Sequence, residues 1–121
     1  MADRSPLVAL GALNAAIAVA AGAFAAHGLR ERLPARALEV FETGARYHMY
    51  HALAMVLAGL LAGTRGAAAA GWMFQAGIVV FSGSLYALAL TDVKVLGAIT
   101  PLGGLAFLTG WLWLAWCAWR A

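Results

Sequence analysis

Charged residues are scarce in this sequence and are missing altogether from long stretches of it. Only 11% of the 121 residues are charged and 64% are hydrophobic, whereas a soluble domain is roughly 25% charged and about 45–50% apolar. Residues 5–26, 47–64, 66–91 and 95–119 contain no Asp, Glu, Lys or Arg. Each run is close to or longer than the roughly 18 residues that indicate a spanning helix. The sequence therefore predicts an all-α integral membrane bundle of four transmembrane helices.

A pair of cysteines and a strongly basic patch are also missing, and each absence excludes a class of protein. Cys117 is the single cysteine, so an internal disulfide and a paired-cysteine zinc or redox site are excluded. The formal charge of +3 comes from basic residues spread over the helix ends, so no nucleic-acid partner is predicted. No nucleophile, base and orienting acid share a recognisable spacing, and no glycine loop for phosphate is present. We predict no enzyme, no catalytic residue, no metal, no cofactor and no small-molecule substrate.

The charge-free runs and their end signals predict one transmembrane domain over residues 1–121. The predicted spans are 6–27, 47–63, 67–90 and 100–119. Residues 34–46 are amphipathic and form a lead-in to the second span, either lying in the headgroup plane or solvated as its first turns. In the fourth span Thr100 is the predicted N-cap and Pro101 the first helical residue, where a missing N–H has no cost.

Polar side chains on otherwise apolar helices predict which faces meet inside the bundle. The predicted inner polar stripe consists of Asn14, Gln75, Ser82 and Tyr86. Small residues allow helices to approach closely in lipid, and polar residues bond between helices. Asn14 lies in a small-residue stripe over residues 11–25, and Gly59 and Gly63 form a second close-approach pattern. We expect Leu at Gly22 or Gly59 to separate helices and lose the fold or an oligomer.

Histidines and tyrosines crowd together where the charged segment becomes apolar. The candidate functional cluster consists of His27, Tyr47, His48 and His51. Because the connection returns the chain to one surface, His27 and His51 are expected at similar depth. One interpretation is that the histidines satisfy polar groups at helix ends. The other is that they hold a ligand, and the alternative function is then a haem or metal carrier using His27, His48 and His51.

Four stretches in the right order resemble one family of membrane proteins. They cover residues 22–29, 41–53, 81–88 and 97–104, of which Phe81-Ser82-Gly83-Ser84-Leu85-Tyr86 and Thr100-Pro101-Leu102-Gly103-Gly104 are the most specific. Together they resemble the YgdD-like family of small bacterial inner-membrane proteins, which has relatives in animals. The resemblance implies a compact four-helix membrane protein without an assigned activity. His48 stands where the family pattern has glutamine, which leaves His27 and His51 as the matching pair.

Two further functional interpretations remain open at the level of sequence. The first is a non-enzymatic helix bundle in the lipid bilayer that acts through self-association, as a homo-oligomer, or through a partner. The second is a small oligomeric transporter or channel, which would use an ionisable group at mid-membrane. The predicted spans contain no Asp, Glu, Lys or Arg at that depth, so the first interpretation is favoured.

The distribution of basic residues predicts an orientation in the bacterial inner membrane. On the side of the long connection lie Arg30, Arg32, Arg36, Arg46 and Lys94, and on the other side lie Arg4, Arg65 and Arg120. Because Lys and Arg are enriched on the cytoplasmic side, the long connection is predicted to be cytoplasmic and both termini periplasmic.

Overall fold

The computed structural model of the chain describes residues 4–121, with side chains from residue 6 onward. The helices in chain order are α1 Arg4–Phe24, α2 Ala35–Leu60, α3 Ala67–Gly77, α4 Gly83–Thr91 and α5 Leu96–Trp119. Two π-helical segments extend this set: Ala25–Leu29 continues α1, and Ile78–Ser82 joins α3 to α4 in one continuous helix. No β-strand occurs within residues 4–121, and the predicted all-α fold is confirmed.

The first two helices, α1 and α2, pack antiparallel to each other. The ring of Phe24 at the end of α1 lies 6.2 Å from that of Phe41 near the start of α2. At the other end, a Cβ added to Gly11 would lie 2.9 Å from the carbonyl oxygen of Ala52. α1 and α2 therefore run side by side in opposite directions over most of their length.

Three of the four long helical segments are long and apolar enough to cross a membrane. They are Pro6–Leu29, Ala67–Thr91 and Leu96–Trp119. The fourth, α2, is as long as the others but carries four charged residues in its first half and two histidines in its middle. It packs against α1, α3 and α4 and supplies much of the buried core. The least apolar helix therefore lies at the centre of the bundle.

The predicted lead-in over residues 34–46 is the first half of α2 rather than a separate segment in the headgroup plane. Only residues 30–34 separate the π-helical end of the first span from α2. Pro34 has an extended ψ of 155° and directly precedes the helix, so the chain reverses within a few residues. The charged half of α2 consequently runs back along α1 and shares the depth of its apolar residues.

The predicted start of the last helix at Pro101 is wrong, because α5 begins at Leu96. Pro101 lies inside the helix and cannot donate to the carbonyl of Gly97, which loses its helical partner. Membrane helices tolerate such a proline where neighbouring helices hold the backbone. Here Thr100 donates to the carbonyl of Leu96 and its hydroxyl also bonds that of Ser84 on α4. Contact between α4 and α5 therefore outweighs the tendency of Pro101 to begin a helix.

Candidate functional site

Asn14 is the centre of a buried hydrogen-bond network that connects three helices. Its Nδ2 donates to the carbonyl of Leu10 and to Oε1 of Gln75, each at 2.9 Å. Its Oδ1 lies 2.9 Å from Nε2 of His48, and Nδ1 of His48 lies 2.9 Å from the hydroxyl of Tyr86. A single side chain of α1 therefore links α2 to the continuous helix formed by α3 and α4.

The Leu10 carbonyl determines the direction of every bond in this network. Because a carbonyl only accepts, the amide of Asn14 must present its NH₂ group to Leu10 and its oxygen to His48. His48 then carries its proton on Nε2, so its Nδ1 accepts and Tyr86 donates. The chain of bonds from Tyr86 to Gln75 has one consistent orientation, and this fixes the tautomer of a histidine deep in the bundle.

The predicted inner polar stripe faces inward at every position. Asn14, Gln75 and Tyr86 belong to the network, and the Ser82 hydroxyl donates to the Gly44 carbonyl at 2.8 Å. All four therefore bond between helices. Among the described residues, no buried side-chain nitrogen or oxygen lacks a partner. The arrangement satisfies the polar groups of the core.

His51 belongs to a second cluster, which is mostly aromatic. Its Nδ1 donates to the Tyr47 carbonyl at 2.8 Å, and its Nε2 accepts from Nε1 of Trp111 at 3.0 Å. Its ring stacks on Phe107 with 3.5 Å between centroids and 6° between planes. The ring of Phe74 lies 5.6 Å away on the other side. His51 thus joins α2 to α5 through stacking on Phe107 and one hydrogen bond from Trp111, while its other hydrogen bond lies within α2.

The structure brings Tyr47, His48 and His51 together on α2 but places His27 elsewhere. His27 is exposed in the π-helical turn after α1, which packs near Phe41 in the first turns of α2. Phe41 and His51 are ten residues apart on one helix, or about 15 Å at 1.5 Å per residue. The expectation that His27 and His51 share a depth is therefore wrong, because it assumed that residues 34–46 lay flat on the surface.

We expect the two matching histidines to differ in their effect on stability. His27→Gln should leave the free energy of unfolding unchanged, because the side chain is exposed. His51→Gln should lower it by about 1–3 kcal/mol, because stacking on Phe107 and at least one buried hydrogen bond are lost. Reversible unfolding in mixed micelles measures both variants, and equal effects would contradict the separation of the two histidines.

A haem or metal site built from the three histidines finds no support in this geometry. Within the described residues, no group of three His, Cys, Asp or Glu side chains could hold a metal ion. Both ring nitrogens of His48 and of His51 are occupied by partners inside the bundle. Binding by either histidine would require breaking a core hydrogen bond.

A groove opens beside the aromatic cluster, between α2 and α5. Its volume is about 690 Å³. The side chains that line it are mainly aromatic or aliphatic and include Tyr47, Tyr50, Phe81, Phe107 and Trp111. Its lining does not bring together acids, bases and hydrogen-bond donors around one point where a substrate could react. Lipid chains can fill the groove without forming polar contacts.

Two charged residues of α2 lie beside the second half of α1. Glu42 and Arg46, both exposed, line a hollow of about 250 Å³ together with Ala18, Gly22 and Ala45. Ala18 is the thirteenth of the 24 residues of the first apolar span. Glu42 and Arg46 therefore lie alongside this apolar span rather than beyond its end.

No other described side chain forms an ion pair with either of these two charges. The ion pairs between described side chains join Arg36 to Glu39 and Lys94 to Asp92, and neither includes Glu42 or Arg46. A charged group at the centre of a membrane helix costs about 2.5–3.5 kcal/mol on insertion scales. Such groups normally face protein or water rather than lipid. The outer surface of α2 therefore carries two exposed charges that no described side chain pairs.

Comparison with known families and proteins places the chain among membrane proteins without an assigned activity. The family described as "Protein of unknown function (DUF423)" matches residues 21–104. The matched residues include His48, which bonds Asn14, and His51 of the aromatic cluster. They also include Glu42 and Arg46, the two charged residues of the hollow. No solved structure matches the chain.

Several bacterial relatives are similar over nearly their whole length. The UPF0382 membrane protein YwdK of Bacillus subtilis strain 168 is 52% identical over 109 residues, covering 87% of this chain and 89% of the relative. A UPF0382 membrane protein of Staphylococcus saprophyticus is 50% identical over 109 residues, with 88% and 91% covered. One from Staphylococcus epidermidis is 51% identical over 107 residues, with 87% and 88% covered.

Proposed function

We propose, from the premise that this chain belongs to the DUF423 family of membrane proteins, that it is a non-enzymatic bundle acting through lateral association in the bilayer. The observation that carries the proposal is the exposed pair Glu42 and Arg46 beside the apolar second half of α1. Lipid cannot solvate these charges, whereas a protein neighbour can. The face that carries them is the site of action.

The internal polar groups support a structural rather than a catalytic role. His48 and His51 each use both ring nitrogens for bonds between or within helices. A general base or a nucleophile needs a lone pair or a proton that a substrate can reach, and these groups are committed to the core. The activity therefore resides in the outer surface of the bundle.

Photo-crosslinking in intact cells tests the proposal. In one variant a photoreactive residue replaces Leu53, which is 54% exposed and lies on the same side of α2 as Arg46. In the control variant it replaces Leu112 on α5, which is 70% exposed. We expect an adduct of one discrete mass from position 53 and none from position 112. Adducts of equal yield at both positions, or none at either, would contradict lateral association through α2.

Removing the charges provides the matched functional test. The variant Glu42→Gln with Arg46→Gln keeps side chains of similar length and should keep the fold, because neither residue makes an ion pair with another described side chain. We expect the adduct at position 53 to decrease and the variant to fail to restore a deletion strain in competition growth. Full restoration together with a lost adduct would mean that the function lies elsewhere.

An oligomeric transporter is the second candidate, and the same charges favour it. Ionisable groups at mid-depth are typical of ion and proton pathways, and between copies they could line one. Flux of protons or ions into vesicles that contain the purified protein separates the two candidates. Flux that is lost in Arg46→Gln supports the transporter, and no flux above that of empty vesicles supports association alone.

We infer that the protein lies in the bacterial plasma membrane with both termini outside. The end of the bundle assigned to the cytoplasm carries four basic residues at its surface: Arg30, Arg32, Arg36 and Lys94. Arg46 is left out of this count, because it lies beside Ala18, near the middle of the first apolar span, Pro6–Leu29. Four basic residues thus stand against three. A fluorescent protein that matures only in the cytoplasm should stay dark when fused to the C-terminus, and fluorescence would contradict this orientation.

A further inference from the structure

One continuous surface of α2 is exposed from end to end, and we call it the outer face of α2. It consists of Ala35, Glu39, Glu42, Arg46, Tyr50, Leu53, Leu57 and Leu60, all of which are exposed. Successive members are three or four residues apart, so they form one straight stripe on the helix. The stripe lies between the hollow against α1 and the groove against α5.

The outer face of α2 has a polar half and an apolar half. Glu39, Glu42 and Arg46 occupy the half that begins the helix, and Leu53, Leu57 and Leu60 occupy the half that ends it. Steps of three and four residues are the spacing by which two helices pack along a shared seam. The stripe is thus shaped to receive another helix along its whole length.

We propose that a second copy of this chain occupies the outer face of α2, with the two α2 helices parallel around a two-fold axis along the membrane normal. Arg46 of each copy pairs with Glu42 of the other. This inference rests on the proposed function, because it names the partner in the lateral association.

Charge complementarity selects both the partner and its direction. Two copies inserted in the same orientation place polar half against polar half and leucine half against leucine half. Glu42 and Arg46 are one helical turn apart, so each Arg46 reaches the carboxylate one turn along the other helix. An opposite orientation would place these charges against the leucines of the second copy. A two-fold arrangement also makes one surface complementary to itself.

The hollow gives the ion pair room to form. Ala18, Gly22 and Ala45 border it with small side chains, and a Cβ added to Gly22 would meet no atom within 4 Å. The second copy can therefore approach beside α1 without a clash. Two charges that lipid would leave unsolvated become two reciprocal ion pairs that are shielded from the acyl chains.

Disulfide crosslinking of the full-length protein in native membranes tests the inference. Leu53→Cys should give a crosslinked product of twice the chain mass under mild oxidation. Leu112→Cys on α5 is the matched control and should give at least tenfold less, as should the unaltered chain, whose Cys117 is buried. Equal yields at positions 53 and 112 would overturn the proposal.

Charge exchange then tests the pairing itself, with Leu53→Cys as the reporter. Glu42→Arg or Arg46→Glu alone should lower the crosslink at least tenfold, because four like charges meet. The double exchange in one chain should restore it to within twofold. Two tagged chains, one with each single exchange, should crosslink to each other and not to themselves. Undiminished crosslinking in both single variants would overturn the pairing.

These outcomes separate failure of the inference from failure of the proposed function. A product at position 53 that contains a different protein would refute the second copy while retaining lateral association. A monomer that still restores the deletion strain would refute the proposed function itself. Thermal unfolding of each variant as a monomer in detergent identifies any exchange that prevents folding, and the double exchange provides the folded comparison.

Discussion

Gly103→Ala is expected to destroy the bundle or to lower its free energy of unfolding by about 3 kcal/mol, the upper end of the usual cost of overpacking. A Cβ at Gly103 would lie 2.3 Å from the backbone nitrogen of Phe81 and 2.7 Å from its Cα. Backbone atoms cannot turn aside as a flexible side chain can. The whole of α5 would have to move away from the π-helical segment that holds Phe81.

The adjacent glycine provides a matched control for this prediction. A Cβ at Gly104 would meet only the Phe81 ring, at 3.9 Å, which is ordinary van der Waals contact. Gly104→Ala should therefore be neutral or stabilise α5 by up to about 1 kcal/mol through helix propensity. Unfolding curves in mixed micelles compare the two variants directly. Similar stability of both would mean that α5 does not pack on Phe81 at Gly103.

The glycines show what a small-residue pattern can and cannot predict. Sequence reasoning predicted close contact along the stripe over residues 11–25, and Gly11 indeed lies against the backbone of α2. Gly22 was expected to be as tight, yet a Cβ there meets nothing within 4 Å. A pattern of small residues shows where another helix can approach closely, but whether a helix packs there depends on the arrangement of the whole bundle. Leu at Gly22 is therefore not expected to disturb the fold.

The inward direction of the polar stripe could be predicted because lipid leaves few alternatives. Asn14, Gln75, Ser82 and Tyr86 interrupt apolar helices, and an unpaired polar group in hydrocarbon is costly. Their partners could not be predicted, since pairing depends on the relative heights of the helices. His48 illustrates the limit, because it bonds both Asn14 and Tyr86 although nothing in the sequence pairs it with either.

The place of the charged segment could not be predicted from amphipathicity. A helix with one charged side has the same periodicity whether it lies on a membrane or stands within a bundle. The difference is set by the short reversal at Pro34 and by the packing of Phe41 against Phe24 and Tyr86. That error placed Arg46 at the surface, and it also produced the mistaken depth of His27.

The aromatic partners of His51 were missed for a related reason. The tryptophans of α5 have the composition of an interfacial belt, and such belts are common at the ends of membrane helices. Trp111, however, donates its indole N–H to His51 near the middle of the bundle. The available signal was the helical spacing from Phe107 to Trp111, which places both rings on one side of α5.

Asn14→Leu is expected to cost about 2–4 kcal/mol, although leucine has a similar size and suits a membrane helix. The substitution leaves the Nε2–H of His48 and Oε1 of Gln75 without partners, and each unsatisfied buried group costs about 1–3 kcal/mol. Gln75→Leu should cost only about 1 kcal/mol, because Gln75 is half-buried and Asn14 keeps its bonds to Leu10 and His48.

A double-mutant cycle between Asn14 and His48 isolates the bond between them. With Asn14→Leu and His48→Leu, the cost of the double variant should be smaller than the sum of the single costs by about 0.5–1.7 kcal/mol, the upper part of the range for hydrogen bonds between membrane helices. The reason is that the double variant leaves neither Oδ1 nor Nε2–H unpaired. Reversible unfolding in mixed micelles of all four proteins gives the coupling. Additive costs would show that Asn14 and His48 do not bond, and the direction assigned to the whole network from the Leu10 carbonyl would then fail with them.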